Sequence, residues 1–197
     1  MESDILMQKF DPKEVSQTLL NRVNLKSLSV IEIQRQDYSK DLNCLNNANE
    51  YVLIHGGEVQ FGWLLTIIGN VVLQLTGHTV VKRKDGTLLC VTLNENRQKS
   101  VKFVLDNTVE KLAVGQYLPA KFFALINNER INEYIGYLAR HNKLRLSGAD
   151  NSSSEIQNIN AACQQLYPTI LSLAKKYTAR NDYCFCGSGI KAKKCCG

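Results

Sequence analysis

The chain has 197 residues, is 44% hydrophobic and carries a formal net charge of +6 at pH 7, enough apolar content to bury the core of one main domain. It contains no run of about eighteen apolar residues, and Met1-Glu2-Ser3-Asp4 lacks the basic and apolar stretches of a signal peptide. A membrane-spanning or secreted protein is therefore not expected, a cytoplasmic one is, and the seven cysteines read as thiols or metal ligands ahead of disulfides.

In chain order, Asp11-Pro12-Lys13-Glu14 combines an N-cap, a proline at the first helical position and a capping-box acid, which predicts a helix over about 12–24 with Val15, Leu19, Leu20 and Val23 inward. Residues 28–33 suit a strand and 34–42 a polar loop. Asn43 is placed to cap a second helix that opens at Cys44, buries Leu45, Ala48, Val52 and Leu53, and stops at Gly56-Gly57. The pattern then turns to β: 58–68, a Gly69-Asn70 turn, 71–83, a Lys84-Asp85-Gly86 turn, 87–93, and 101–105. A three-residue loop with Gly86 in the left-handed conformation sets the second hairpin's register, pairing Val80 with Cys90 and His78 with Thr92.

Helical signals return from Thr108, with one segment starting at Leu118-Pro119 and another over 128–140 through Ile131, Tyr134, Ile135 and Leu138. Residues 148–154 read as a linker, and Ser152 with Glu155 offers a capping box for a last helix over 153–179, which Pro168 is expected to kink. The fold class expected is α+β: an antiparallel sheet of four to five strands packed with helices, plus a small C-terminal zinc module. The expected division is an α+β domain over 1–148, a linker and terminal helix over 149–182, and the zinc module over 183–197.

Two residues in the first part carry nucleophile chemistry. Cys44 stands at a helix start, where the dipole and free N–H groups favour thiolate, and His78 would add to that preference if adjacent. A thiol hydrolase or acyl transferase would use Cys44 as nucleophile, His78 as base and acid, and Asn47 or backbone N–H groups to polarise the substrate oxygen. The face that His78 shares with Cys90 puts a thiol where a catalytic orienter would be Asp or Asn. The other reading stays open: Cys44 as a buried thiol and His78 as a hydrogen-bonded core histidine. Cys163, beside Ala161, Ala162 and Leu166, reads as packing, and Trp63 with Phe61 as flanking the sheet core.

The C-terminus is more specific. Cys184 and Cys186, then Cys195 and Cys196, form two close pairs separated by eight residues that include Gly187 and Gly189. Glycines let the chain reverse and bring the second pair onto the first, and four thiolates close a tetrahedral Zn²⁺ site with no position left for a substrate. Two disulfides are the competing arrangement, with adjacent Cys195 and Cys196 demanding strained bridges. Four ionised thiolates and one Zn²⁺ sum to minus two, which lowers the net charge to about +4. Lys175, Lys176, Arg180, Lys191, Lys193 and Lys194 face only Asp182 in this stretch, a basic patch suited to an acidic partner or simply a solvated face. Charge and shape alone would serve ribosomal RNA, whereas sequence-specific DNA readout has no motif here.

The tail resembles the SEC-C zinc motif named for the C-terminus of the SecA translocase, in which Cys-x-Cys-Gly-Ser-Gly is followed by a basic stretch and Cys-Cys or Cys-His. Because the module in SecA contacts a chaperone and the ribosome, the resemblance implies docking to a protein or ribonucleoprotein through a zinc-held surface. Residues 43–106 resemble a bacterial family of SEC-C-tailed proteins through Cys44-Leu45-Asn46-Asn47, Gly56-Gly57, Phe61-Gly62-Trp63, His78-Thr79-Val80-Val81 and Asp85-Gly86. The order of a cysteine at a helix start followed by a strand meander is similar to that of papain-like and transglutaminase-like folds, which implies a Cys-His catalytic pair. Leu45 and Cys90 stand where that family has histidine and aspartate, which implies a catalytically degenerate domain.

Overall fold

The computed structural model describes residues 9–92 and 99–197. The start of the chain and the end of the expected strand at Leu93 lie outside the described residues. The fold is α+β, with a six-stranded sheet in the order β1-β5-β2-β3-β4 and β6 on β3. Its elements are α1 (Gln17–Arg22), β1 (Ser29–Glu32), α2 (Cys44–His55), β2 (Glu58–Ile68), β3 (Val72–Lys82), β4 (Leu88–Leu89), β5 (Ser100–Leu105), α3 (Thr108–Leu112), β6 (Ala120–Ala124), α4 (Glu129–Leu146) and α5 (Ser154–Lys176).

The chain forms two compact units. One comprises the chain up to Glu14, Leu65–Leu75 and Ala120–Gly197; the other comprises Val15–Leu64 and Thr76–Pro119. The tip of the β2–β3 hairpin thus belongs to the first and its base to the second.

In the second unit, β1 and β5 pair antiparallel with Ile31 opposite Val101, and β2 and β5 pair with Trp63 opposite Val104. The hairpin of β3 and β4 sets Val81 opposite Leu89 and Lys82 opposite Leu88, the register expected from the Asp85-Gly86 turn, where Gly86 has φ +84°. Inward residues Ile31, Val80, Cys90, Val101 and Phe103 form one cluster, and Ala48 of α2 packs with Val81, Leu89 and Val91 in another. Trp63 is fully buried and donates its Nε1–H to Asp106 at 2.8 Å, satisfying the indole inside the core.

Helix α2 begins at Cys44 and ends at Gly56, φ +79°, as the sequence predicts, although the Asn43 side chain makes no capping bond. The first helix is shorter than expected: Ser16, not Asp11, caps it by accepting from Leu19 N–H. Upstream, Phe10 exchanges two backbone hydrogen bonds with Ile67, 3.0 and 2.8 Å, which holds the Asp11-Pro12 segment extended.

The first unit is built on α4 and α5. Asn128 caps α4 by accepting from the N–H groups of Arg130 and Ile131, and Ile131, Tyr134 and Leu138 meet Ile159, Cys163, Tyr167 and Ile170 of α5. This contact is the apolar stripe of each helix, spaced at three and four residues. Arg140 closes its edge on Glu155, Nη2 to Oε1 2.6 Å, and α5 continues as one helix past Pro168.

The segment after Leu118-Pro119 is a strand, not the expected helix. Leu125 N–H donates to Val71 O, 2.9 Å, which ties the far end of β6 to the hairpin tip. In the second unit, Gly77 N–H donates to Pro119 O at 2.7 Å, and a side chain at Gly77 would collide with Leu118 and Pro119. These backbone partners outweigh the helical signal of the sequence.

Ile170 has no exposed surface. Ile170→Ala is expected to lower stability by about 2–5 kcal/mol through lost burial and a residual cavity, read by chemical denaturation followed by far-ultraviolet circular dichroism. A change below about 0.5 kcal/mol would mean that the α4–α5 packing is not as described.

Candidate metal centre and thiol pair

Residues 179–197 fold by a dense set of short-range bonds. Cys184 N–H donates to Ile190 O at 2.8 Å, Ala192 N–H to Asp182 O at 2.8 Å, and both Cys195 N–H and Gly197 N–H to Ala192 O at 2.9 Å. Gly187 (φ +77°) and Gly189 (φ +71°) take the left-handed conformations that reverse the chain, and a short 3₁₀ turn over Ala192–Lys194 delivers the second cysteine pair to the first.

The result is a four-sulfur cluster. The sulfurs of Cys184, Cys186, Cys195 and Cys196 all lie within 4.8 Å of one another. Cys186 and Cys195 are 3.5 Å apart and Cys195 and Cys196 3.8 Å, close to the edge of about 3.8 Å that Zn–S bonds of about 2.3 Å give a tetrahedron. All seven cysteines are free thiols, so disulfides do not compete for these sulfurs.

The thiols also titrate as a metal site should. The Ser188 hydroxyl beside Cys186 pulls its pKa down to about 6. Hydrogen bonds to the neighbouring sulfurs of Cys184, Cys186 and Cys195, with a smaller contribution from the charge of Cys184, push Cys196 up to about 12. One thiolate forms easily and the full set needs a divalent cation. The donor set and spacing fit Zn²⁺, which would be held by these four cysteines and would supply structure.

The cluster is anchored within its unit and does not dangle from it. The Phe10 ring packs where a Gly187 side chain would be, Ala174 and Phe185 pack where a side chain on Gly69 of the hairpin tip would be, Tyr183 O–H donates to Glu14 Oε1 at 3.0 Å, and Asn70 Nδ2 donates to Asp182 Oδ2 at 2.9 Å. Glu14, read from sequence as a capping acid, is thus a tether for the tail. Sequence reasoning missed these partners because they lie more than a hundred residues away along the chain.

The basic residues are displayed around this centre. Lys175, Lys176, Arg180, Lys191, Lys193 and Lys194 are all exposed, and among the described residues none is in an ion pair. Asp182, the acid counted against them, is occupied by Asn70 and by the N–H of Ala179 at 3.1 Å. Ile190, half exposed, adds an apolar element to the same surface.

The second unit holds a different arrangement. Cys44, the expected nucleophile and the first residue of α2, is half-buried, and His78 of β3, the expected base, acts on its titration. Burial alone would raise the Cys44 thiol. The His78 charge first, then the polar groups of His78 and Thr79, instead bring it down to about 7. Burial alone would likewise lower His78, but the adjoining sulfurs, Cys44 foremost and then Cys90, lift it to about 10. The opposite shifts of the two groups favour the thiolate–imidazolium form of the pair over the neutral one.

One neighbour differs from its expected role and another matches it. Asn47 is buried and spends both amide hydrogens on Lys40 O (2.7 Å) and Thr92 Oγ1 (2.8 Å) while its Oδ1 accepts from Lys40 N–H, so it braces α2 and has no donor left for a substrate oxygen. His78 Nε2 lies 3.2 Å from Cys90 Sγ, the shared face that the hairpin register predicts. Cys163 is buried packing, its thiol pushed up to about 11 by burial, and His55 ends α2 with its ring tilted at 46° against Tyr51, centroids 4.6 Å apart.

Removing the metal with a chelator is expected to speed amide hydrogen exchange at Cys184, Ala192 and Cys195 while α2 stays protected, since structural zinc supplies on the order of 10–16 kcal/mol to such a segment. Equal protection with and without chelator, by exchange mass spectrometry, would show that the tail folds without an ion.

No helix among the described residues is long and apolar enough to cross a membrane. No curated protein and no solved structure matches the chain. Residues 180–197 match the SEC-C motif, and the four-cysteine cluster within them is consistent with Zn²⁺.

Proposed function

We propose that residues 180–197 are a zinc-held docking module through which the protein binds an acidic surface on a protein or ribonucleoprotein partner. One observation carries this reading: four sulfurs converge on one closed site, and the chain between 175 and 194 that leads into it carries six exposed basic side chains. A closed metal site rigidifies the loop that presents the lysines, which reduces the ordering cost of binding, and the lysines draw in negative charge in a salt-dependent way. The N-terminal part of the chain, read as a papain-like or transglutaminase-like relic, contributes recognition.

The test is capture of partners on wild-type protein, on Cys195→Ser, and on a triple variant with Lys191, Lys193 and Lys194 changed to Glu, with both protein and RNA read out. Partners held by wild type, shed with rising salt and lost from both variants are expected; identical lists across the three would contradict the module's docking role.

A second reading rests on the coupling of Cys44 at the start of α2 to His78 of β3 and on the 3.2 Å contact between His78 Nε2 and Cys90 Sγ. In it the domain is a thiol hydrolase or acyl transferase: the Cys44 sulfur bonds to an acyl carbonyl carbon, the carbon–leaving-group bond breaks, and His78 gives the leaving group its proton. Water or a second acceptor then takes the acyl group, returning a proton through His78. Backbone N–H groups at the start of α2 would polarise the oxygen, since Asn47 is committed elsewhere. Asn46 donates to Gln116 at 3.3 Å, placing the exposed Val114 and Tyr117 beside this helix start, a rim suited to an apolar acyl group. An activity-based electrophile is expected to label Cys44 at neutral pH in wild type and not in His78→Asn; equal labelling of both would remove the pair from consideration.

A further inference from the structure

Building on the Cys44–His78 reading, we propose that Cys90 is the positioning residue for His78, doing with a thiol what a carboxylate or carboxamide does in most cysteine–histidine sites.

The argument is one of donors and acceptors. Cys90 Sγ lies 3.3 Å from Thr92 O, to which its S–H donates. With that proton committed, the sulfur offers its lone pairs to His78 Nε2, 3.2 Å away, which donates its N–H. Fixing the proton on Nε2 leaves the other ring nitrogen to exchange a proton with Cys44. A thiol is a weak acceptor in water, but Cys90 has no exposed surface and sits among Ile31, Val80, Val101 and Phe103, where a lone polar contact gains strength and has no competing solvent.

The surroundings lock each member of this chain. The Phe103 ring meets the His78 ring edge-on, centroids 6.4 Å apart at 69°, fixing the imidazole plane. Thr92 is held through its hydroxyl by Asn47, which is bonded in turn to both the carbonyl and the N–H of Lys40. Asn47 lies one helical turn after Cys44, so the brace that sets the Cys90–Thr92 segment also sets the helix carrying the sulfur. The titratable groups acting on His78 are Cys44 from α2 and Cys90 from the chain after β4; the one acting on Cys44 is His78. A thiol at this position therefore keeps the hydrogen-bond relay without the negative charge a carboxylate would bring.

The test follows alkylation of Cys44 by iodoacetamide across a pH series, resolved by peptide mass spectrometry on the full-length zinc-loaded chain, with thermal midpoints recorded in parallel. Wild type, Cys90→Ser, Cys90→Ala, Cys90→Val and His78→Asn are compared. The expected result is a wild-type profile with a midpoint near 7 that Ser, able to donate and accept, retains. Ala and Val shift it upward by about one unit, making labelling roughly tenfold slower at pH 6. Where Val perturbs the fold, the smaller Ala carries the comparison. Ala and Val profiles that coincide with wild type, while His78→Asn shifts, would overturn the role of Cys90. A wild-type Cys44 that titrates like a free thiol, at about 8.5, would instead overturn the Cys44–His78 reading beneath it.

Discussion

Like charges at van der Waals distance do not coexist without a counter-ion, and that constraint organises the C-terminal part of this protein. Four sulfurs converge within 4.8 Å; the Ser188 hydroxyl favours ionisation of Cys186, and Cys195 and Cys196 resist losing their own protons. A divalent cation resolves the conflict and in the same act closes the loop. What the loop gains is shape: the glycine reversals, the 3₁₀ turn and the contacts to Phe10, Glu14 and Asn70 become one rigid surface, and the basic side chains are held on its outside.

The second unit meets a related problem without a metal. His78 is almost wholly buried, where an imidazolium is costly unless paired. The sulfurs of Cys44 and Cys90 provide that pairing, and the Asn47–Thr92 brace keeps the three in register. The same arrangement that stabilises a buried histidine also lowers the pKa of a thiol at a helix start, so both effects follow from one set of contacts.

Much of this was legible in the residues themselves. The Asp85-Gly86 turn fixed the partner of every residue in its hairpin, which is why Cys90 could be placed on the face of His78. The cysteine spacing with its glycines predicted the sulfur cluster, and Gly56-Gly57 ended α2 where expected. Local signals failed where a distant backbone partner intervened. Asp11-Pro12-Lys13-Glu14 has the chemistry of a helix start, but Phe10 pairs with Ile67 and the helix waits for Ser16. Leu118-Pro119 opens a strand because Gly77 and Val71 supply its end groups. Asn47 looked like a donor for chemistry because its three bonds, to Lys40 and Thr92, cannot be counted before the loops are folded.

The central claim is that one divalent ion joins Cys184, Cys186, Cys195 and Cys196 at a closed centre. Elemental analysis of fully reduced, full-length protein tests it most directly: about one zinc per chain is expected, falling away in Cys196→Ser. Reduced wild-type protein that is folded and holds no transition metal would contradict the account.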